Sequence, residues 1–415
     1  MASQDTPKTI AIGCQGGGLH AAFEIGVLTA ILQKIDEDKR NNRPGFELIG
    51  LSGSSAGALC TLMVWYGLAT KNGRAGSACE AIRQLNLLMD MFAAKTGSEK
   101  VFNRLASLAL KAHEMEEPLL GLVPPKLCLN PAGAISRAVF AAAPYLGLRA
   151  EYADFHTMLD KLCPEFKAID WPNLKVRLLV GASEVVGGVE TVFDSDLRDE
   201  TRSREPPDIF FTHKWRRQLP LTRSGIVASG SLPELFPAEE IGEGYYWDGL
   251  YSQNPPVREF VAAVGKDLQY VPDEIWIVRI NPQQCEYVPK SMAEIEDRQN
   301  ELMGNLSLNK ELDLILTMNK WIEKYRNLVG QDHKQVTVRT IKMTKRTAMR
   351  LKYSSKFNRS RAFVEELRDE GHAEAQKWLS QWPQAGEAGR YPEDAGYPDP
   401  DPDEAEPGDD ADGQD

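Results

Sequence analysis

The chain has 415 residues, of which 42% are hydrophobic and 26% charged, a composition typical of a soluble globular protein that can bury one large core or two smaller ones. Its net charge of −12 is concentrated at the end, because residues 385–415 carry 12 Asp or Glu and one Arg while the rest of the chain is close to neutral. No clustered basic segment is present, which argues against nucleic-acid binding, and no apolar run is long enough to predict a membrane span.

Cysteine usage and the N-terminus both favour a cytoplasmic protein. The six cysteines lie far apart without any C-x-x-C pair, so we expect buried free thiols and neither disulfides nor a metal site. The first eight residues lack a basic region followed by an apolar core. We therefore expect a cytoplasmic location without a bound metal or cofactor, and leave transient contact with a membrane surface open.

A strand, a glycine-rich turn and a helix open the chain. Residues 9–13 predict a short apolar strand, Gly16, Gly17 and Gly18 follow it, and an amphipathic helix begins directly afterwards. Unhindered backbone amides at such a turn can stabilise the oxyanion of an acyl-transfer reaction or bind a nucleotide phosphate. The phosphate alternative is weaker because no Lys-Ser/Thr follows and the dinucleotide-binding spacing is absent.

The same order recurs at residues 45–68, around the pentapeptide Gly53-Ser54-Ser55-Ala56-Gly57. Gly-x-Ser-x-Gly between a strand and a helix is the pattern of a nucleophile elbow, with Ser55 at the apex and glycines where the two arms approach. The pentapeptide alone is weak evidence, since a chain of this composition has roughly a one-in-eight chance of containing it in an ordinary loop. Two such units in succession predict a mostly parallel sheet flanked by helices.

The remaining pattern completes an α/β domain. Residues 71–166 predict helices that form an insertion or a lid over an acyl pocket, and 292–325 predict an amphipathic helix that packs on the sheet rather than on lipid. Further strands are predicted at 174–182, 189–193 (as an antiparallel edge), 274–280 and 336–341, and further helices at 229–237 and 360–382. We therefore expect one domain over residues 1–384 and a disordered acidic tail over 385–415.

The general base is harder to identify than the nucleophile. None of the six histidines falls in a strand-end turn of the kind that holds a triad histidine. Asp248 does, since it ends the aromatic strand 244–247 and precedes Gly249. Shielding by the neighbouring rings would raise the pKa of this carboxyl and allow it to act as a base. The alternative is an Asp-Gly turn without any role in chemistry.

Taken in order, these motifs resemble the patatin-like phospholipases. The resemblance rests on Gly16 to Gly18 before a helix, the elbow around Ser55, and Asp248-Gly249 with Asn254-Pro255 downstream, and it extends over most of residues 9–380. Members of that family are serine acyl hydrolases with a Ser-Asp dyad and no catalytic histidine. The resemblance implies a three-layer α/β sandwich, Ser55 as nucleophile, Asp248 as base, and the amides of Gly16, Gly17 and Gly18 as oxyanion donors to a lipid or other acyl ester.

The glycine loop departs from the usual family sequence, Asp-Gly-Gly-Gly-x-Arg-Gly. Here Gln15 precedes the glycines and His20 stands near the place of the arginine, so a preference for phospholipid headgroups is left open. His20 would either replace the arginine as a donor or cap the helix. Two further alternatives remain: an esterase with a Ser-His-Asp triad, and a non-catalytic scaffold on the same fold whose acidic tail recruits a partner. The sequence does not indicate the oligomeric state.

Overall fold

The structure is a computed structural model that describes residues 7–43, 45–115, 131–198, 215–233, 235–261, 270–285, 287–329 and 333–382. The predicted acidic tail at 385–415 lies outside the described residues, and so does His213.

A nine-stranded mixed sheet forms the centre of the molecule. Its strands are β1 Lys8–Cys14, β2 Phe46–Gly53, β3 Arg177–Glu184, β4 Val189–Asp194, β5 Arg216–Pro220, β6 Glu239–Ile241, β7 Gly244–Asp248, β8 Glu274–Arg279 and β9 Thr337–Lys342. The main order is β5-β4-β3-β2-β1-β8-β9, while β7 pairs with both β3 and β6. Five pairs are parallel and three antiparallel, the antiparallel ones being β3 with β4, β3 with β7, and β6 with β7.

Helices connect the strands and cover the sheet. They are α1 Ala22–Arg40, α2 Ala56–Leu68, α3 Ala78–Phe92, α4 Gly97–Glu114, α5 Pro131–Ala141, α6 Ala150–Ala153, α7 Phe155–Leu162, α8 Arg223–Ser229, α9 Met292–Lys324, α10 Arg326–Val329, α11 Lys345–Arg350 and α12 Arg361–Gln381. Short 3-10 helices include Gly18–Ala21 directly before α1 and Tyr353–Phe357 before α12.

The two faces of the sheet bury separate hydrophobic clusters, because successive side chains of a strand point to opposite sides. Ile10 and Ile12 of β1 pack with α1, α2, α3 and α12 in the larger cluster. Ala11 of β1 and Ile277 of β8 pack on the other side, against Leu308 of α9. Helices therefore lie on both faces of a mostly parallel sheet, which confirms the predicted α/β three-layer architecture.

The long helix α9 packs on the sheet, as its amphipathic pattern predicts. It begins at a capping box in which Ser291 and Glu294 satisfy each other's backbone amides. Leu308, Leu312 and Ile315, at helical spacing, are buried against the sheet. The apolar face of α9 is therefore covered by the sheet and is not free to lie on a lipid surface.

The structure corrects two predictions, the edge position of the strand at 189–193 and the bounds of the helix at 229–237. β4 is antiparallel to β3 as expected, but it is not an edge, since β5 pairs with it on the outside. β5 has no apolar alternation in its sequence, and the guanidinium of its Arg216 forms ion pairs with Glu259 and Glu311. The helix predicted at 229–237 is displaced, because α8 ends at Ser229 and turns follow.

The helical region 71–166 divides into two parts where the structure describes it. α3 and α7 contribute to the main core through residues such as Leu85 and Leu159. By contrast, α4 and α5 surround a small separate cluster that includes Phe102 and Tyr152. The α4–α5 pair therefore has a hydrophobic cluster of its own, to which Tyr152 of α6 also contributes.

Within the described ranges, one helical segment, Gly18–Arg40, is long and apolar enough to cross a membrane by length and composition alone. In the fold 67% of its most apolar window is buried, and α1 packs closely on α12 and α3. Such burial is typical of the core helix of a globular domain.

Free cysteines occur both inside and on the surface of the described fold. Cys14, Cys60 and Cys163 are buried free thiols, as expected, whereas Cys79 and Cys285 are exposed. Cys128 lies outside the described residues.

Candidate active site

Ser55 stands at a sharp turn between β2 and α2. Its backbone has φ 54° and ψ −130°, a conformation that residues other than glycine rarely adopt and that occurs at functional turns. The glycines of the motif permit the turn: a Cβ on Gly53 would lie 2.5 Å from the Gly57 backbone, and one on Gly57 would lie 2.5 Å from the Cys14 carbonyl oxygen. Ser55 is the N-cap residue of α2, so the amides of the first turn of that helix follow it directly.

Asp248 is brought to the same place by β7. This strand pairs with β3 so that Asp248 lies opposite Ala182, and β3 is the neighbour of β2, which ends in the elbow. The end of α8 holds both residues, because the Ser55 amide donates to the Ser229 carbonyl at 3.0 Å and the Asp248 amide donates to the Ser231 carbonyl at 3.1 Å.

The Asp248 carboxyl is fully buried yet only half satisfied. Its Oδ1 accepts a hydrogen bond from the Leu250 amide at 2.9 Å, while Oδ2 has no hydrogen bond of ordinary geometry. Burial raises the pKa of Asp248 to about 7, against smaller lowering effects of the Leu250 amide and the nearby Ser55 hydroxyl. A carboxyl with this pKa can accept and return a proton near neutral pH.

No histidine in the described part of the chain is a hydrogen-bond partner of Ser55. His20 bonds to Ser355 at 2.7 Å, His156 to Glu239 at 3.1 Å and His372 to Gln33 at 2.8 Å. The same described residues contain no group of three or more His, Cys, Asp or Glu placed to hold a metal ion.

The three glycines predicted as oxyanion donors differ in what their amides do. Gly16 touches the elbow, since a Cβ on it would lie 2.6 Å from the Ser55 Cβ, but its amide donates to Asn254 Oδ1 at 2.5 Å. The expectation that Gly16 offers a free amide is therefore corrected. The Gly17 and Gly18 amides donate no hydrogen bond to any described residue, and both glycines are partly exposed.

Buried amide side chains hold this glycine loop, and no local sequence pattern marks them. Gln15 Oε1 accepts from the Ile280 and Asn281 amides at 3.1 and 3.2 Å, and Gln15 Nε2 donates to Asn305 Oδ1 at 3.0 Å. Asn281 Nδ2 also donates to the Gly16 carbonyl at 2.7 Å. The departure at Gln15 thus has a structural reason, because the side chain ties the loop to the end of β8 and to α9.

His20 does not replace the missing arginine as a cation. His20 is buried in the 3-10 helix before α1. Its ring packs edge-on against Phe363, and its Nε2 is hydrogen-bonded to the Ser355 hydroxyl. Burial and the charge of Lys356 lower the pKa of His20 well below its usual value, so the ring is neutral at neutral pH. Its contacts join the glycine loop to the 3-10 helix Tyr353–Phe357.

Comparison with protein-family models agrees with the motifs. The family model described as patatin-like phospholipase matches residues 14–261, more than half of the chain. Among solved structures, VipD from Legionella pneumophila is similar with a TM-score of 0.37 and 12% sequence identity, covering 90% of this chain and 67% of that one. No curated protein sequence matches significantly. The matched range includes the glycine loop, the elbow and Asp248, and the chain therefore belongs to the patatin-like phospholipase family of lipid acyl hydrolases.

Proposed function

We propose that this protein hydrolyses carboxylic esters of lipids, phospholipids or lysophospholipids, through an acyl-Ser55 intermediate with Asp248 as the base. The observation that carries the proposal is the pairing of a strained elbow serine with a buried carboxyl of pKa about 7. Both residues are anchored to the end of α8 by their backbone amides.

In the acylation step, Ser55 Oγ attacks the ester carbonyl carbon and its proton passes to the Asp248 carboxylate. Oδ2 is the oxygen suited to accept it, since Oδ1 is used by the Leu250 amide. The carbonyl oxygen becomes an oxyanion, for which the Gly17 and Gly18 amides and the N-terminus of α2 are the donors. Collapse of the tetrahedral intermediate expels the alcohol, which takes the proton from Asp248.

In the deacylation step, a water molecule attacks the acyl carbon and gives its proton to Asp248. The second tetrahedral intermediate then releases the fatty acid, and the proton returns to Ser55 Oγ. The same carboxyl therefore serves both half-reactions, which requires that its pKa lie close to the working pH.

Reaction with a serine-directed fluorophosphonate probe tests the proposal. Wild type should be labelled at Ser55, and Ser55→Ala should lose both labelling and ester hydrolysis by at least about 10³-fold. Asp248→Asn should lower hydrolysis by about 10²-fold or more, because an amide cannot accept the proton. Ser380→Ala and Asp369→Asn, both exposed on α12, are the matched controls and should behave as wild type.

Two outcomes would contradict the proposal in different ways. Folded wild type that is not labelled at Ser55 would favour the non-catalytic scaffold. Full activity in Asp248→Asn, together with its loss in a single His→Ala variant, would favour the triad esterase. Lipid extracts treated with wild type or with Ser55→Ala would then identify the ester that is consumed.

A further inference from the structure

Helix α4 presents an apolar stripe to solvent. Val101, Leu105, Leu108 and Met115 follow each other at helical spacing and are 57%, 48%, 66% and 82% exposed. The opposite face of α4 is buried against α5 through Phe102 and Ala106. The helix thus has two apolar faces, and only the inner one is covered by described residues.

The exposed charged residues of α4 are all basic. Lys100, Arg104 and Lys111 flank the stripe, are exposed, and form no ion pair within the described part of the chain. No acidic residue occurs between Glu99 and Glu114, or anywhere in residues 131–149, in a chain that holds 60 Asp and Glu. The local charge is therefore opposite to the net charge of the molecule.

The second helix of the pair extends the same character. α5 exposes Ile135 beside Arg137, and Tyr145 follows α5 with 87% of its surface exposed. An exposed apolar stripe bordered by Lys and Arg, with an aromatic residue at its end, has the composition of a helix that lies in the interface of a lipid bilayer. We call this surface, formed by α4, α5 and Tyr145, the basic apolar face.

The basic apolar face is tied to the active-site loop. Phe140 of α5 packs on Phe357 with ring centroids 5.7 Å apart, and Asn103 of α4 accepts the Arg359 amide at 2.7 Å. The 3-10 helix Tyr353–Phe357 contacts the glycine loop on its other side, since a Cβ on Gly18 would lie 2.7 Å from the Lys356 carbonyl oxygen. One short element therefore separates the face from the candidate oxyanion donors.

We propose that the basic apolar face docks onto the surface of an anionic phospholipid bilayer. Its apolar side chains would enter the headgroup region while Lys100, Arg104 and Lys111 meet lipid phosphates. Charge favours this occupant: in a symmetric contact a second copy of this chain would place the same three cations opposite these residues, whereas anionic lipid complements all of them. The inference rests on the proposed function for its biological sense, because a lipid hydrolase must reach its substrate in a membrane.

Vesicle sedimentation with the full chain tests the proposal. Wild type should bind vesicles of phosphatidylcholine mixed with phosphatidylglycerol more tightly than vesicles of phosphatidylcholine alone, with affinity falling as salt rises. Leu105→Ser/Leu108→Ser and Arg104→Glu/Lys111→Glu should each weaken binding by at least about tenfold. Trp321→Ser/Leu328→Ser and Lys175→Glu/Lys310→Glu remove matched exposed groups elsewhere and should bind as wild type.

A soluble short-chain ester separates this proposal from the proposed function. All four double variants should hydrolyse it at the wild-type rate, whereas the α4 variants should lose activity on vesicle lipid. Binding by the α4 variants equal to wild type, or equal binding to neutral and anionic vesicles, would overturn the docking surface. A shift of the α4 variants from dimer to monomer in light scattering would overturn it too, in favour of an interface between copies.

Discussion

At the scale of single residues, the site depends on placing one carboxyl out of contact with water. Asp248 is fully buried, and among the described residues only the Leu250 amide donates a hydrogen bond of ordinary geometry to its carboxyl. Desolvation disfavours the charged form of a carboxyl, and one backbone donor does not offset it. The pKa near 7 follows from this imbalance and gives the residue the properties of a base.

This imbalance predicts the pH dependence of both activity and stability. We expect kcat/KM for a soluble ester to rise with pH around a midpoint near 7, because Asp248, the proposed base, must be ionised to accept a proton. The folded pKa is raised above the ordinary value of 3.8, so the protonated carboxyl stabilises the fold at low pH. That contribution, at most about 4 kcal/mol, is lost progressively as the pH rises from about 4 to about 7.

The variant Asp248→Asn separates the effect of pH on activity from its effect on stability, and it serves as the control. It should be inactive, yet more resistant to thermal unfolding than wild type at about pH 8, with a smaller difference near pH 5. A pH-rate profile with a midpoint near 4, or an Asn variant less stable than wild type at high pH, would contradict the assigned environment of Asp248.

Residues of the site were predictable from sequence where they act within a local motif. Ser55, Gly53 and Gly57 define their turn by short-range sterics, and Asp248 precedes a glycine at a strand end. The engagement of the Gly16 amide was not predictable, because its acceptor, Asn254, lies 238 residues away. The same holds for Gln15, whose partners are on β8 and α9.

At the scale of elements, the contact of α1 with α12 sets the thickness of one layer. Gly26 and Gly371 face each other's helix, and a Cβ on Gly371 would overlap the Phe23 carbonyl oxygen. The close approach seats Trp378 against Trp276 of β8, with ring centroids 4.7 Å apart. The last described helix therefore supports the strand next to β1, which leads into the glycine loop.

Gly371→Ala tests this packing. The added methyl group must push α12 away from α1, so we expect the free energy of unfolding to fall by about 1–3 kcal/mol, measured by chemical denaturation. Gly97→Ala is the matched control, because Gly97 begins α4 and a Cβ there would contact nothing within 4 Å. Equal stability of the two variants would show that the helices separate without cost.

Elements with strong periodicity were predicted and those held by long-range ion pairs were not. α9 and β8 show their apolar pattern directly in the sequence. β5 was not predicted, because its sequence has no apolar alternation and the partners of Arg216, Glu259 and Glu311, are distant in sequence. Such partners come from other parts of the chain, and no local pattern reveals them.

At the scale of the whole molecule, charge is divided between separate regions. Residues 385–415 carry a net charge of −11, while the rest of the chain has a net charge of −1. The basic apolar face has no acidic residue between Glu99 and Glu114. An acidic segment and a basic surface on one chain would act in opposite directions on approach to an anionic membrane.

Removal of residues 385–415 tests that opposition. The truncated chain should bind anionic vesicles several-fold more tightly at low salt, because about eleven negative charges no longer repel the surface, and the difference should vanish at high salt, where the screening length falls to about 3 Å. Its melting temperature and its hydrolysis of a soluble neutral ester should equal those of the full chain, since a Pro-, Asp- and Glu-rich composition cannot contribute to a packed core.

A full-length variant whose tail acids are replaced by Asn and Gln should match the truncated chain if charge is the cause. If only the truncated chain binds more tightly, steric exclusion by the tail is responsible instead, and if neither does, the tail does not act on membrane binding.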